Sequence, residues 1–156
     1  MTGGGRVKVS SMQVTHGFEL HCNASTGPNN LQINWGNSNS FHLDKVTSAY
    51  CYDDPRIAPR PAPADFDTYV GSGTGSYNGV AGAVATWTFT DAGDPGVKDF
   101  ARYEIRSCST CPIVLSISGY LVKGNHQAHR DLRPIMVSTS EYQANGNRQD
   151  MKISGP

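Results

Sequence analysis

Three carboxylates lie close together in residues 91–99, which read Asp-Ala-Gly-Asp-Pro-Gly-Val-Lys-Asp. Hard oxygen ligands on a backbone that glycine and proline allow to curl are what calcium requires. Asp91, Asp94 and Asp99 are therefore candidate calcium ligands, although their spacing is not that of an EF-hand loop. The alternative is structural, because Asp side chains in a long hairpin loop also accept hydrogen bonds from backbone amides.

Four of the five histidines form a second candidate metal site, for zinc or copper. Neutral imidazoles around an open coordination position bind these metals. Residues 126 and 129 point to opposite faces of a regular strand, so a site there needs a bulge or a cross-strand partner. The candidate ligands are His21, His42, His126 and His129. The alternative is that they are polar-face strand histidines without a metal.

The four cysteines predict disulfide bonds rather than redox or zinc chemistry. Cys22 and Cys51 each close a strand-like stretch, so we expect them to pair across neighbouring strands. Cys108 and Cys111 form a Cys-x-x-Cys at a tight turn, which predicts a small disulfide at a hairpin tip. Zinc bound by all four thiolates is the alternative. An even cysteine count in a loop-rich chain favours an oxidising compartment.

The composition indicates that strands position these groups. The chain has 156 residues with 17 Gly but only three Glu and six Leu, so helix-forming residues are scarce. Alternating apolar residues and regularly spaced turn signals predict nine or ten strands. The predicted strands cover residues 6–9, 12–22, 31–35, 41–44, 46–52, 68–79, 84–90, 100–107, 113–118 and 120–129. We expect an all-β, single-domain antiparallel barrel or sandwich with a disulfide.

Three segments depart from the strand pattern. Residues 53–67 contain four prolines and predict a long surface loop, which is either a functional element or a variable insertion. Gly71, Gly73 and Gly75 alternate on one strand, which indicates close approach to another backbone or strong coiling. The domain is predicted to cover residues 1–133. Residues 134–156 are predicted to form a C-terminal extension, as an extended arm or a partly disordered tail.

Charge and hydropathy exclude several function classes. The formal net charge is zero, which gives no general reason to bind nucleic acid or anionic lipid. The zero is a sum of +1 over residues 1–50, −4 over residues 51–100 and +3 over residues 101–156. The sequence contains no run of 18 apolar residues, so it predicts no membrane-spanning helix. The start of the chain has no apolar signal region, so we expect a mature exported form in the cell envelope or outside the cell.

Aromatic residues near the predicted loops are candidates for ligand contacts. Aromatic rings beside Asn and Asp side chains bind sugar faces or other proteins. The rings in question are Trp35, Tyr50, Tyr52, Phe66, Tyr69 and Tyr77. Most of them are needed for the core of a β-barrel of this size, and Trp87 and Phe89 are assigned to that core.

Several of these motifs together resemble those of a secreted bacterial and metagenomic β-module of unknown function. Such modules open with a Gly-Gly-Gly strand, here residues 3–5. They carry an Asp-x-Gly-Glu/Asp-Pro-Gly-x-x-Asp turn, here residues 91–99, and end with a Gly-Asn-x-Gln-x-His strand, here residues 124–129. The resemblance covers roughly residues 3–129 and implies an exported barrel or sandwich with no assigned reaction. Its shared motifs nominate Asp91, Asp94, Asp99, Asn125 and His129.

These observations predict an exported accessory or binding module that engages a protein, a glycan or a small ligand through its loops. The first alternative is a small metal-dependent hydrolase or oxidase that uses the strand histidines and Asp residues. The second is a structural subunit that forms a homo-oligomer, in which residues 134–156 add a strand to a neighbouring copy.

Overall fold

The computed structural model describes residues 1–57 and 64–130, and the predicted extension at residues 134–156 lies outside that range. The described chain forms a closed antiparallel barrel in which each strand pairs with the next and the eighth pairs with the first. The prediction of an all-β antiparallel fold is confirmed, and closure decides between barrel and sandwich. The strands are β1 (Thr2–Val9), β2 (Met12–Glu19), β3 (Asn30–Trp35), β4 (Asn39–Tyr52), β5 (Thr68–Tyr77), β6 (Val80–Thr90), β7 (Phe100–Arg106) and β8 (Ile113–Gln127).

The strand count is lower than predicted because two pairs of predicted strands are continuous. Residues 41–44 and 46–52 belong to β4, which absorbs the interruption as shifts in register against β5. Residues 113–118 and 120–129 join in β8, which ends at Gln127. A glycine inside a strand often marks a bulge, but Gly17 of β2 pairs in regular register with Gly4 and Gln32.

Side chains from all eight strands fill the barrel. Trp87, Tyr69, Tyr103, Phe41 and Phe89 are the largest fully buried side chains. An eight-stranded barrel has an interior that side chains can fill or that can hold one small ligand. Here the side chains occupy it.

The alternating glycines of β5 allow β4 and the interior rings to approach closely. A Cβ at Gly71 would lie 2.7 Å from the Trp87 ring, and one at Gly73 would lie 2.6 Å from the carbonyl oxygen of Lys45. At Gly75 a Cβ would overlap the carbonyl oxygen of His42. The prediction of close backbone approach is therefore confirmed.

The two ends of the barrel differ in their connections. One, which we call the loop end, carries the long connections at residues 20–29, 53–67 and 91–99. The other, the turn end, carries short turns at residues 10–11, 36–38 and 78–79 and the six-residue connection 107–112. Phe66 and Ala64 of the β4–β5 loop are buried in the core cluster, so these two residues close the core at the loop end.

Both predicted disulfides are present. Cys22 and Cys51 are joined at the loop end with a Cα–Cα distance of 5.5 Å. Cys108 and Cys111 are joined at the turn end between β7 and β8. No cysteine remains free, so the alternative of a four-thiolate zinc site is wrong. Within the described ranges, no helix is long and apolar enough to cross a bilayer.

Candidate functional site

The polar chemistry of the described chain is concentrated at the loop end. The buried polar and charged residues all lie in the loops of this end or in the adjoining ends of the strands. They are His16, Asp54, Asp67, Thr68, Thr90, Asp91, Asp99 and His126.

Asp91 and Asp99 hold the β6–β7 loop to β8. Asp99 is fully buried and accepts hydrogen bonds from the backbone N–H of Ala92 at 2.8 Å and of His126 at 2.6 Å. Asp91 accepts from the N–H groups of Gly93 at 2.9 Å and Ala128 at 2.8 Å. Burial raises the pKa of Asp99 to about 6, and the nearby carboxylates act in the same direction.

Asp94 and Asn125, which the shared motifs also nominate, reinforce this connection between the β6–β7 loop and β8. The side-chain amide of Asn125 donates to the Asp94 carboxylate at 2.8 Å. A Cβ on Gly96 would lie 2.7 Å from the Asp99 carboxylate, so only glycine fits there without displacement. The motif thus ties a loop to a strand through side-chain acceptors.

The arrangement of the motif favours the structural alternative over the calcium site. Asp91 and Asp99 already accept from backbone N–H groups, which is the capping role expected for Asp in a long hairpin loop, and Asp94 accepts from the Asn125 side-chain amide. Among residues 1–57 and 64–130, no group of three or more His, Cys, Asp or Glu side chains is placed to hold a metal ion. Calcium binding at Asp91, Asp94 and Asp99 stays a prediction.

The β4–β5 loop uses carboxylates in the same way. Fully buried Asp67 accepts from the backbone N–H of Asp54 at 2.9 Å and from the Thr68 hydroxyl at 2.7 Å. Burial raises the pKa of Asp67. Asp54 pairs with the Arg56 guanidinium at 2.6 Å, and hydrogen bonds from Arg56 lower the pKa of Asp54 to about 2.

Two histidines meet inside the barrel, and one of them was absent from the sequence-based candidates. The Nε2 atoms of His16 and His126 are 2.8 Å apart. His16 Nδ1 is hydrogen-bonded to the Tyr103 hydroxyl, and His126 Nδ1 lies 2.9 Å from the carbonyl oxygen of Thr90. All four ring nitrogens of the pair are therefore engaged.

The direction of this hydrogen-bond chain follows from its last acceptor. A carbonyl oxygen can only accept, so His126 carries its proton on Nδ1 and donates it to Thr90. In a neutral ring Nε2 of His126 must then accept from Nε2 of His16. His16 Nδ1 in turn accepts from the Tyr103 hydroxyl. One set of tautomers satisfies every group in the chain.

Burial keeps both histidines neutral. Desolvation lowers the pKa of His16 to about 3, and the neighbouring His126 adds to that shift. Desolvation likewise lowers the pKa of His126 to about 4, although its bond to Thr90 and the charge of Asp91 act in the opposite direction. A second proton between the two Nε2 atoms would place two N–H groups against each other.

The other candidate histidines lie elsewhere. His42 faces outward on β4, and His21 is half-buried after β2. His129 is exposed beyond β8 and is hydrogen-bonded to the Thr2 hydroxyl at 2.7 Å, whereas His126 points inward. Zinc or copper binding by these four residues stays a prediction. Only a three-dimensional pairing of β1 with both β2 and β8 brings His16 near His126.

An open groove lies on the outer surface at the loop end, next to this network. Its volume is about 590 Å³, within the range of small-ligand sites. Thr90, Phe100 and Tyr120 occupy neighbouring positions on β6, β7 and β8 and form its floor. The loops supply the rest of its lining, namely Asp54, Arg56, Ile57, Ala92 and Lys98.

The groove combines aromatic and charged groups. The Phe100 and Tyr120 rings meet edge to face at 5.7 Å, and Tyr120 is 66% exposed. The Arg56 charge is engaged by Asp54, whereas Lys98 has no ion-pair partner in the described part of the chain. We call this surface, lined by the residues just named, the loop-end groove.

The aromatic residues considered as candidates for ligand contacts divide into buried and exposed side chains. Trp35, Phe66 and Tyr69 are buried, and Tyr77 stacks on Trp35. Tyr50 is 63% exposed and stacks on Tyr52, on the outer face of β4. The assignment of Trp87 and Phe89 to the core is confirmed.

Sequence reasoning missed Phe100 and Tyr120. Both stand at outward positions of their strands, flanked by inward Ala101 and Leu121, and that alternation was the available signal. Their direct pairing across β7 and β8 depends on register. Comparison of the chain with protein-family models, with curated proteins and with solved structures found no match in any of the three.

Proposed function

We propose that this protein is an exported binding module that holds its ligand in the loop-end groove. The observation that carries the proposal is the convergence of two loops and two outward aromatic rings on one open groove, while the barrel interior is filled by side chains. Binding sites commonly sit on loops that a rigid scaffold positions. The barrel and its carboxylate-held loops supply such a scaffold.

Export is supported by the two disulfides. Disulfides persist in oxidising compartments and are uncommon in reducing ones. The Cys22–Cys51 bond also ties the β2–β3 loop to β4 at the loop end. The resemblance to an exported β-module agrees with this location.

A ligand screen with matched variants tests the function without assuming the ligand class. Ligand-observed NMR against oligosaccharides, peptides and small aromatic molecules would be run on the wild type, Tyr120→Ala and Ala92→Trp. The first variant removes the exposed ring, and the second fills the groove. We expect saturable binding by at least one class that both variants weaken.

Tyr50→Ala is the matched control, because Tyr50 is similarly exposed but lies four strands away from Tyr120, about 19 Å along the sheet. This variant should bind like the wild type. If no class binds, or if Tyr120→Ala and Ala92→Trp both bind as strongly as the wild type, the proposed function is wrong.

A further inference from the structure

We infer that the ligand of the loop-end groove is a neutral oligosaccharide chain, with one sugar ring stacked on Tyr120 and its hydroxyl groups bonded by the charged side chains of the two loops. This inference rests on the proposed function and names the ligand class. It is drawn from the groove's amphipathic lining, its charge and its shape.

The first argument is the mixture of surfaces. A sugar ring has an apolar face of C–H groups and a rim of hydroxyl groups, so it needs an aromatic platform beside hydrogen-bonding groups. Tyr120 provides an exposed ring that Phe100 supports from the side at 5.7 Å. Lys98 and the exposed guanidinium of Arg56 supply hydrogen-bond donors around it.

The exposed guanidinium of Arg56 suits hydroxyl groups. A hydroxyl oxygen accepts hydrogen bonds, so it can bind a cationic donor. The Asp54 side chain is only 9% exposed, and its two carboxylate oxygens accept from Arg56, through the guanidinium at 2.6 Å and through the backbone N–H at 3.0 Å. These bonds hold the Arg56 guanidinium, which is 84% exposed, in place before a ligand arrives.

The second argument is the sign of the surrounding charge. Residues 51–100 carry seven carboxylates and three cations, and the loops at this end contain all seven carboxylates. The Arg56 charge is matched by Asp54, and Lys98 is the groove cation without an ion-pair partner in the described part of the chain. The carboxylates of residues 51–100 still outnumber the cations, so a polyanion such as a uronic acid polymer is repelled on approach, whereas a neutral glycan is not.

The third argument is shape. A stable protein partner buries roughly 800 Å² on each side, mostly over a broad patch. The groove is instead a depression of about 590 Å³ with one strongly exposed ring. These dimensions suit a short run of sugar units better than a protein surface.

Titration calorimetry on the whole chain tests the inference. The probes are hexasaccharides of β-1,4-glucose, β-1,4-xylose, β-1,4-mannose and β-1,4-N-acetylglucosamine, with hexagalacturonate as the acidic counterpart. We expect at least one neutral hexasaccharide to bind and hexagalacturonate not to bind. Tyr120→Ala should lower the affinity at least tenfold, whereas Tyr120→Phe should stay within threefold because the ring remains.

The variants separate the inference from the proposed function. Tyr50→Ala should leave the affinity unchanged, and matching circular dichroism melts would show that Tyr120→Ala is folded. If hexagalacturonate or a peptide binds with the same Tyr120 dependence and no neutral hexasaccharide does, the glycan inference is wrong but the binding function stands. If nothing binds in a Tyr120-dependent way, both are wrong.

Discussion

The loop end and the turn end of this barrel solve the same problem by different means. Each must satisfy the backbone groups left over where strands stop. At the turn end the connection at residues 78–79 is a two-residue Asn-Gly hairpin, with positive φ at both residues, and the strands pair up to the turn. At the loop end the long connections leave amides without strand partners, and the carboxylates of Asp67, Asp91 and Asp99 accept from them.

This difference accounts for much of the uneven charge along the sequence. Four of the seven carboxylates in residues 51–100 accept from backbone N–H groups in place of a strand neighbour, namely Asp54, Asp67, Asp91 and Asp99. The same loops form the walls of the loop-end groove, so structural carboxylates and the candidate binding surface share one end. The turn end has neither feature among the described residues.

The largest expected effect concerns the loop end, where the buried His16–His126 pair makes the free energy of unfolding depend on pH. Their folded pKa values of about 3 and 4 lie below the ordinary value of 6.5, so the unfolded chain binds more protons between pH 4 and 6.5. Their contribution to stability is therefore complete above pH 6.5 and is lost as the pH falls. The slope is at most about 3 kcal/mol per pH unit for the pair, from one proton on each ring.

Asp99 acts in the opposite direction, because its raised folded pKa of about 6 favours the folded state at low pH and that contribution is lost as the pH rises through 6. Asp67 has the same sign. Urea unfolding from pH 4.5 to 7.5 of the wild type and of His16→Gln/His126→Gln isolates the histidines, because both proteins keep the carboxylates. An unchanged slope in the double variant would contradict the assignment.

Removal of the Asp99 carboxylate should produce the next largest effect. Asp99→Ala leaves the buried N–H groups of Ala92 and His126 without an acceptor, at about 1–3 kcal/mol each. Asp99→Asn keeps one carbonyl acceptor and should cost less. Chemical denaturation at pH 7.5 measures both, and equal losses in the two variants would refute the capping role.

The two disulfides should differ in their contribution to stability. Loop-closure entropy assigns about 3.6 kcal/mol to the Cys22–Cys51 bond, which spans 29 residues, and about 1.6 kcal/mol to the Cys108–Cys111 bond, which spans three. Paired Cys→Ser variants compared by urea unfolding provide the measurement. A greater loss of unfolding free energy in the Cys108/Cys111 variant would contradict the expectation that the loop-end disulfide contributes more to stability than the turn-end one.

The smallest effect is expected at the turn end. Gly79→Ala requires an alanine to adopt a φ of +80°, in the left-handed region, but nothing lies within 4 Å of its Cβ. The cost should therefore be that of the backbone conformation alone, about 1 kcal/mol. Gly79→Asn should cost less, since Asn tolerates this region. A loss above about 3 kcal/mol would show that the turn end carries tertiary interactions that its geometry does not reveal.

Local patterns identified most of the barrel. The alternation in β3 and β6, the turn residues and the scarcity of helix formers predicted the all-β fold and most strand positions. Where prediction divided β4 and β8, a local interruption looked like a strand end. In β4 the register against β5 shifts at the interruption and pairing then resumes, whereas in β8 Ser118, Gly119 and Tyr120 pair with β7 in regular register.

By itself the sequence determined the fold class, the pairing of Cys22 with Cys51 and the importance of the motif at residues 91–99. These depend on residue type, spacing and turn chemistry, which are local. Only the tertiary structure decided that Asp91 and Asp99 accept from backbone amides, that His16 meets His126, and that Phe100 and Tyr120 share a groove with Arg56. Each of these depends on barrel closure and strand register, which set neighbours far apart in sequence and which no local pattern encodes.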